Sequence, residues 1–159
     1  MSFNWDLSLI DMAKVAGAYL LALPVGWYRE KEAHSVGVRT FPMVSVAACG
    51  YILAVTGGSH ATPDAQSRVL QGIAAGIGFV GAGAILKSED HVHGTATAAS
   101  IWNIAAVGAA VALDRYFVAA MLSMLNLITL RLLLPVKQKI DQEARGDRPA
   151  SNEAPGHDD

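Results

Sequence analysis

Two stretches, VLQGIAAGIGFVGAGAIL and ATAASIWNIAAVGAAVAL, carry no charged side chain at all. About 20 apolar residues of helix cross the hydrocarbon core of a bilayer, so runs of this kind constrain the fold more than any other feature. Read for membrane length, the sequence holds five candidate spans, at roughly residues 8–28, 40–57, 69–87, 97–113 and 116–134. The expected fold is all-α: a polytopic membrane bundle of about five transmembrane helices, with the glycine-rich third one at its centre. Residues 1–135 would form this domain and residues 136–159 a polar cytoplasmic tail.

Composition agrees. Apolar residues make up 52% of the 159-residue chain and charged ones 16%. Much of that charge sits in the ending VKQKIDQEARGDRPASNEAPGHDD, which leaves the rest far more apolar than a soluble domain. This ending mixes charge with Pro, Gly and Ser and has no aromatic residue, so disorder is expected after a single helical turn. A net charge of -2, with no run of Lys or Arg, excludes a nucleic-acid partner. Cys49 is the only cysteine, which rules out an intramolecular disulfide and a thiolate metal cluster. Its apolar setting, VSVAACGY, predicts a small packing residue. The opening MSFNWDLSLIDMAK places Asp6 and Asp11 ahead of the first cation, Lys14, so no cleaved secretory signal is expected.

Orientation follows from the loops. Asp114 and Arg115 alone separate spans four and five, which predicts a tight hairpin. Arg29, Lys31, Arg39, Lys87, Lys137, Lys139, Arg145 and Arg148 fall on one side and Arg68 and Arg115 on the other, so the first side is expected to be cytoplasmic, with the N-terminus outside. Spans one and two, and spans three and four, each pair through a cytoplasmic loop, and the second helix of each pair carries Ala-Ala-x-Gly, a hint of a parallel repeat.

Within span three, GIGFVG matches the G-x-G-x-x-G pattern that cradles a dinucleotide pyrophosphate. That loop needs a strand before it and a helix after it, whereas these glycines lie inside the uncharged run, so no dinucleotide is expected. Gly72, Gly76 and Gly83 share one helical face, and Gly78 and Gly81 a neighbouring one. Small residues let helix backbones touch in lipid, so these glycines are expected to pack helices, with Phe79 as a knob against a neighbour. The alternative is a broken helix lining a pathway.

Polar residues inside the spans are few. Thr97, Ser100 and Asn103 form a stripe on span four, with Asn126 the nearest counterpart on span five. Such stripes glue helices, or else line a water-filled path. Arg39 and Arg68 each begin a span and need partners: Glu30 or Glu32 for Arg39, and Asp64, one turn upstream, for Arg68. They would act as anchors at the membrane edge or, together with Arg29 and Glu30, as a charge network. Asp11 and Lys14, three apart, are expected to pair, and Arg131 to snorkel. Glu89, Asp90, His91 and His93 read as a solvated turn or a loose divalent-ion site, so the question of a metal stays open. Spans two to four hold no acid at mid-depth, which counts against a dedicated magnesium pump. No nucleophile–base pair, zinc motif or phosphate loop is present, so no enzyme activity is expected.

The loop and span motifs together resemble a known family. GWYREKEAHSVGVRT, RVLQGIAAGIGFVGAGAIL and VHGTATAASIWNIAAVG, in order across about residues 17–113, resemble the signature blocks of the MgtC/SapB family of bacterial membrane proteins. The matching positions are Arg29, Glu30, Gly37, Arg39, Thr40, Arg68, Gly76, Gly78, Phe79, Gly81, Gly83, Gly94, Thr97 and Trp102. Tyr28, Gly72, His93 and Ala96 depart from the pattern, with Gln71 one place ahead of the family's glutamine. Many members continue into a soluble C-terminal domain; this chain is expected to be a short member without one, and any activity residing there is not expected of it.

The resemblance implies a bacterial inner-membrane protein linked to growth at low magnesium and, in pathogens, to virulence. It implies a non-catalytic regulator of a membrane partner such as ATP synthase. A magnesium or other cation transporter or channel, lined by the glycines of span three and the stripe of span four, is the alternative. Expected partners are the lipid bilayer, another membrane protein and a second copy of the chain as a homodimer. No cofactor is expected, with Mg2+ left open. Candidate functional residues are Arg29, Glu30, Arg39, Thr40, Arg68, Thr97, Trp102 and Asn103.

Overall fold

A computed structural model describes residues 5–33, 37–57, 62–88 and 91–146. Each expected span is a helix: α1 (Trp5–Ala33), α2 (Thr40–Thr56), α3 (Pro63–Gly83), α4 (Thr95–Ala112) and α5 (Tyr116–Gly146). Two short strands, β1 (Leu86–Ser88) and β2 (His91–His93), pair antiparallel between α3 and α4 with Lys87 opposite Val92. Leu7–Glu32 of α1 and α4 itself are long and apolar enough to cross a membrane, while α2 and Tyr116–Leu132 of α5 are shorter apolar helices.

The helix ends follow local chemistry. α3 begins six residues before the expected span, because Thr62 accepts a hydrogen bond from Ala65 N–H at 3.2 Å and Pro63 occupies the first turn, where a missing N–H is harmless. It ends at Gly83, so Leu86 and Lys87 fall in the hairpin. Gly94 then leads into α4 with φ +86, and a Cβ there would lie 1.9 Å from the Ala84 carbonyl oxygen; both facts demand glycine. The α4–α5 turn is as short as expected, with Asp114 in the left-handed region at φ 59.

The chain divides into two units, Met1–Leu127 and Ile128–Asp159. In the second, helix α5 continues to Gly146 where only one turn was expected past Val136. The segment KQKIDQEAR, which follows Pro135 and is itself free of proline, is made almost wholly of good helix formers, and that local propensity outweighs its low hydrophobicity. The rest of the expected disordered tail, 147–159, lies outside the described residues.

In the first unit the central helix is α4 rather than α3. α4 touches α1, α2 and α3 and buries nearly every residue from Ile104 to Ala112. Its alanines and Gly108 allow the close approach expected of the glycines. A Cβ on Gly108 would lie 1.9 Å from the Ser45 carbonyl oxygen, so α2 and α4 cross backbone to backbone there. On α3 only Gly81 is buried, facing Ala98. Gly72, Gly76, Gly78 and Gly83 have no atom within 4 Å of a built Cβ, and Phe79 is 85% exposed, so this helix carries an open face and not a knob. The physical reason is that α3 and α4 are both uncharged and small-residue-rich through their cores; counting glycines does not say which helix its neighbours surround.

Candidate functional site

The C-terminal part of α1 carries Arg29 into the bundle, where it is only 5% exposed. Its Nη2 donates to Thr97 Oγ1 in the first turn of α4, and its Nε has no hydrogen-bond partner. Lys14 pairs with Asp114 and Arg68 with Asp64, whereas Arg29 has no carboxylate within ion-pair distance among the described residues, and the Glu32 carboxylate acts on it from farther off. The expected network of Arg29, Glu30 and Arg39 does not form. Glu30 instead accepts a 3.0 Å hydrogen bond from Val38 N–H at the entrance to α2, while Arg39 is the exposed N-cap of that helix. The reason is geometric: a carboxylate on the last turn of α1 meets the unpaired amides that open α2 before it can reach an outward-pointing arginine.

The stripe on α4 continues from Thr97. Ser100 Oγ donates to Asn126 Oδ1 at 2.9 Å, and Asn126 Nδ2 returns a bond to the Ser100 carbonyl at 3.4 Å. Asn103 Nδ2 donates to the Leu122 carbonyl at 3.4 Å, leaving its buried Oδ1 unpartnered. Ser123 Oγ donates to the Leu21 carbonyl at 2.6 Å and ties α5 to α1. Every polar residue of the stripe therefore joins two helices. Ser123 escaped sequence reasoning, because a single serine in an apolar run has no periodicity to betray its face. Trp102, on the other side of α4, is exposed.

A groove of about 780 Å³ separates α2 from α3. Met43, Ala47 and Tyr51 line one wall, Val69, Ile73 and Ile77 the other, and Ala105 of α4 the floor. Gly72 and Gly76 deepen it, Thr40 lies at one end and Arg68 at the other, so four of the residues singled out in the sequence meet here. Thr97, Ser100 and Asn103 are absent from its walls. The glycine face thus lines this groove and the polar stripe does not. Arg68 Nε donates to Asp64 Oδ2 at 2.9 Å, the i,i+4 pair expected from spacing.

At the far end of α4 a third cluster forms. Lys14 does not pair with Asp11. Its ammonium lies 2.8 Å from Asp114 Oδ1 and donates to the Ala112 carbonyl at 3.2 Å, in the last turn of α4 where a cation is favoured. Tyr116 OH donates to the same carboxylate at 2.7 Å. Hydrogen bonds from Lys14 and then Tyr116 hold the Asp114 carboxyl below the ordinary carboxylate range.

Cys49 is fully buried in α2, as its apolar neighbours foretold. Glu89 and Asp90 lie outside the described residues, and no group of three or more His, Cys, Asp or Glu able to hold a metal occurs among the described ones.

Comparison with known proteins adds to this geometry. A model described as MgtC family matches residues 15–139. Protein SrpB of Synechococcus elongatus is 33% identical over 125 residues, which cover 71% of this chain and 69% of that protein. Protein MgtC of Brucella abortus (strain 2308) is 35% identical over 143 residues, 88% of this chain and 58% of the relative. Protein MgtC of Salmonella typhimurium (strain LT2) is 32% identical over 125 residues, 79% of this chain and 53% of the relative. The chain thus spans only about half to two thirds of the length of these curated relatives. No solved structure matches.

Proposed function

The chain belongs to the MgtC family, and from that membership we propose that it is a bacterial inner-membrane protein of adaptation to low magnesium that acts as a non-catalytic regulator of a membrane partner. One observation carries the choice of regulator over transporter. The residues of the α4 stripe each bond to another helix, Thr97 to Arg29, Ser100 to Asn126 and Asn103 through its Nδ2 to the Leu122 carbonyl. A path for a divalent cation needs such groups turned toward water, with acids or carbonyl rows to replace the hydration shell. What the helices offer outward instead includes exposed Arg39 before α2, Trp102 on α4 and Phe79 on α3, side chains suited to contacts with a protein partner in the membrane or at its edge. ATP synthase is one such partner.

The test joins flux to growth. Folded protein in proteoliposomes should show no saturable magnesium uptake, and Arg39→Gln with Trp102→Ala should lose the growth phenotype at low magnesium while protein level and melting behaviour are unchanged. Saturable uptake by the wild type would establish the transporter instead. Thr97→Val is unsuitable for this purpose, because it breaks the Arg29 contact whichever role is true.

A further inference from the structure

The groove between α2 and α3 has a shape and a charge pattern that the regulator reading does not use. On α3 its lining runs from Arg68 to Val80, which at 1.5 Å per residue is about 18 Å. One leaflet of hydrocarbon is about 15 Å deep, half of a core about 30 Å thick. Between its ends the groove is apolar, and Gly72 and Gly76 line it where a built Cβ would meet open space.

The mouth is different. Arg68 lines that end, and Asp64, one turn away and outside the lining, pairs with it; their side chains are 76% and 74% exposed. Arg68 uses only Nε on Asp64, so among the described residues its two terminal nitrogens and Asp64 Oδ1 make no hydrogen bond. Tyr51, facing Arg68 across the groove, supplies an aromatic ring with a hydroxyl of the kind enriched at membrane interfaces.

An occupant that matches both parts has an apolar tail of leaflet length and a head with a negative and a positive group side by side. We propose that the α2–α3 groove holds one zwitterionic phospholipid, its acyl chain laid along Gly72 and Gly76, its phosphate at Arg68 and its primary ammonium at Asp64. An anionic headgroup without a cation, such as that of phosphatidylglycerol, would bring its phosphate to Arg68 but leave Asp64 with no positive group opposite it. A second copy of the chain, packed by the same face about a two-fold axis normal to the membrane, would bring Arg68 and Asp64 to the same depth as their own counterparts. This inference rests on the membrane placement alone and holds whether the protein regulates or transports.

The experiment is native mass spectrometry of the full chain in mild detergent, supplied in turn with phosphatidylethanolamine and phosphatidylglycerol of identical acyl chains. The wild type should retain one phosphatidylethanolamine, with about a tenfold preference over phosphatidylglycerol. Gly76→Leu should abolish retention of both lipids, and since the site around Gly76 is open, its thermal melt should stay within a few degrees of wild type. Asp64→Asn should keep the tail site and lose the preference. Retention unchanged in Gly76→Leu, preference for phosphatidylglycerol, absence of bound lipid from folded protein, or a dimer mass that Gly76→Leu dissolves would each overturn the proposal.

Discussion

Removing the hydroxyl of Thr97 should cost more stability than removing the charge it serves. Thr97→Val preserves shape but takes away the one acceptor that Arg29 Nη2 has, and Arg29 Nε is already without a partner. Hydrogen bonds to charged groups contribute about 1.5–3 kcal/mol, and a buried charge left unpaired adds a desolvation cost of its own. The expected loss for Thr97→Val is therefore about 2–4 kcal/mol. Arg29→Met keeps much of the apolar stem, removes the buried charge, and leaves a neutral threonine hydroxyl that can turn back to a carbonyl of the preceding turn. Its expected cost is about 1 kcal/mol or less. In the double variant the loss should match that of Arg29→Met, so the coupling between the two sites equals the Thr97→Val loss, about 2–4 kcal/mol. Reversible unfolding of the purified protein in mixed micelles, run on all four members of the cycle, measures each quantity. An Arg29→Met variant less stable than Thr97→Val would refute the reasoning, because it would mean that the guanidinium is stabilised by more than the Thr97 hydroxyl.

The remaining expectations concern packing, acid and thiol chemistry. Gly108→Ala must force α2 and α4 apart, since its Cβ would lie 1.9 Å from the Ser45 carbonyl oxygen; a loss of about 3 kcal/mol or more, or failure to fold, is expected in the same micelle titration. Gly76→Ala and Gly83→Ala meet open space and should be neutral or raise stability by up to about 1 kcal/mol through helix propensity. The Asp114 carboxyl is depressed by Lys14 and Tyr116, so its stabilising effect is fully present above about pH 3.9, the ordinary aspartate value, and is lost as pH falls through the lower folded-state pKa. Melting curves from pH 7 to pH 3 should show that acid-side loss in the wild type and a smaller one in Asp114→Asn. Cys49, fully buried, should resist maleimide labelling in the native protein and react once the chain is unfolded in detergent.

Much of this architecture was legible in the chain itself. The uncharged runs specified the helices because a helix satisfies its backbone within its own segment, and the apolar lengths are local quantities. The Asp64–Arg68 pair was readable for the same reason: both groups sit on one helix, four residues apart. The reading of Thr97, Ser100 and Asn103 as glue also held, although their partners could not be named from sequence. What only the tertiary structure decided is which faces meet. Lys14 finds Asp114 across 100 residues, Arg29 finds Thr97 across 68, and Ser123 finds Leu21 across 102. The centre passed from α3 to α4, and Gly72 and Gly76, expected to pack, instead line an open groove. Helix rotation and neighbour order set these outcomes. In spans apolar on every side, no hydrophobic period marks an inner face, so small differences in close packing between distant segments choose the arrangement.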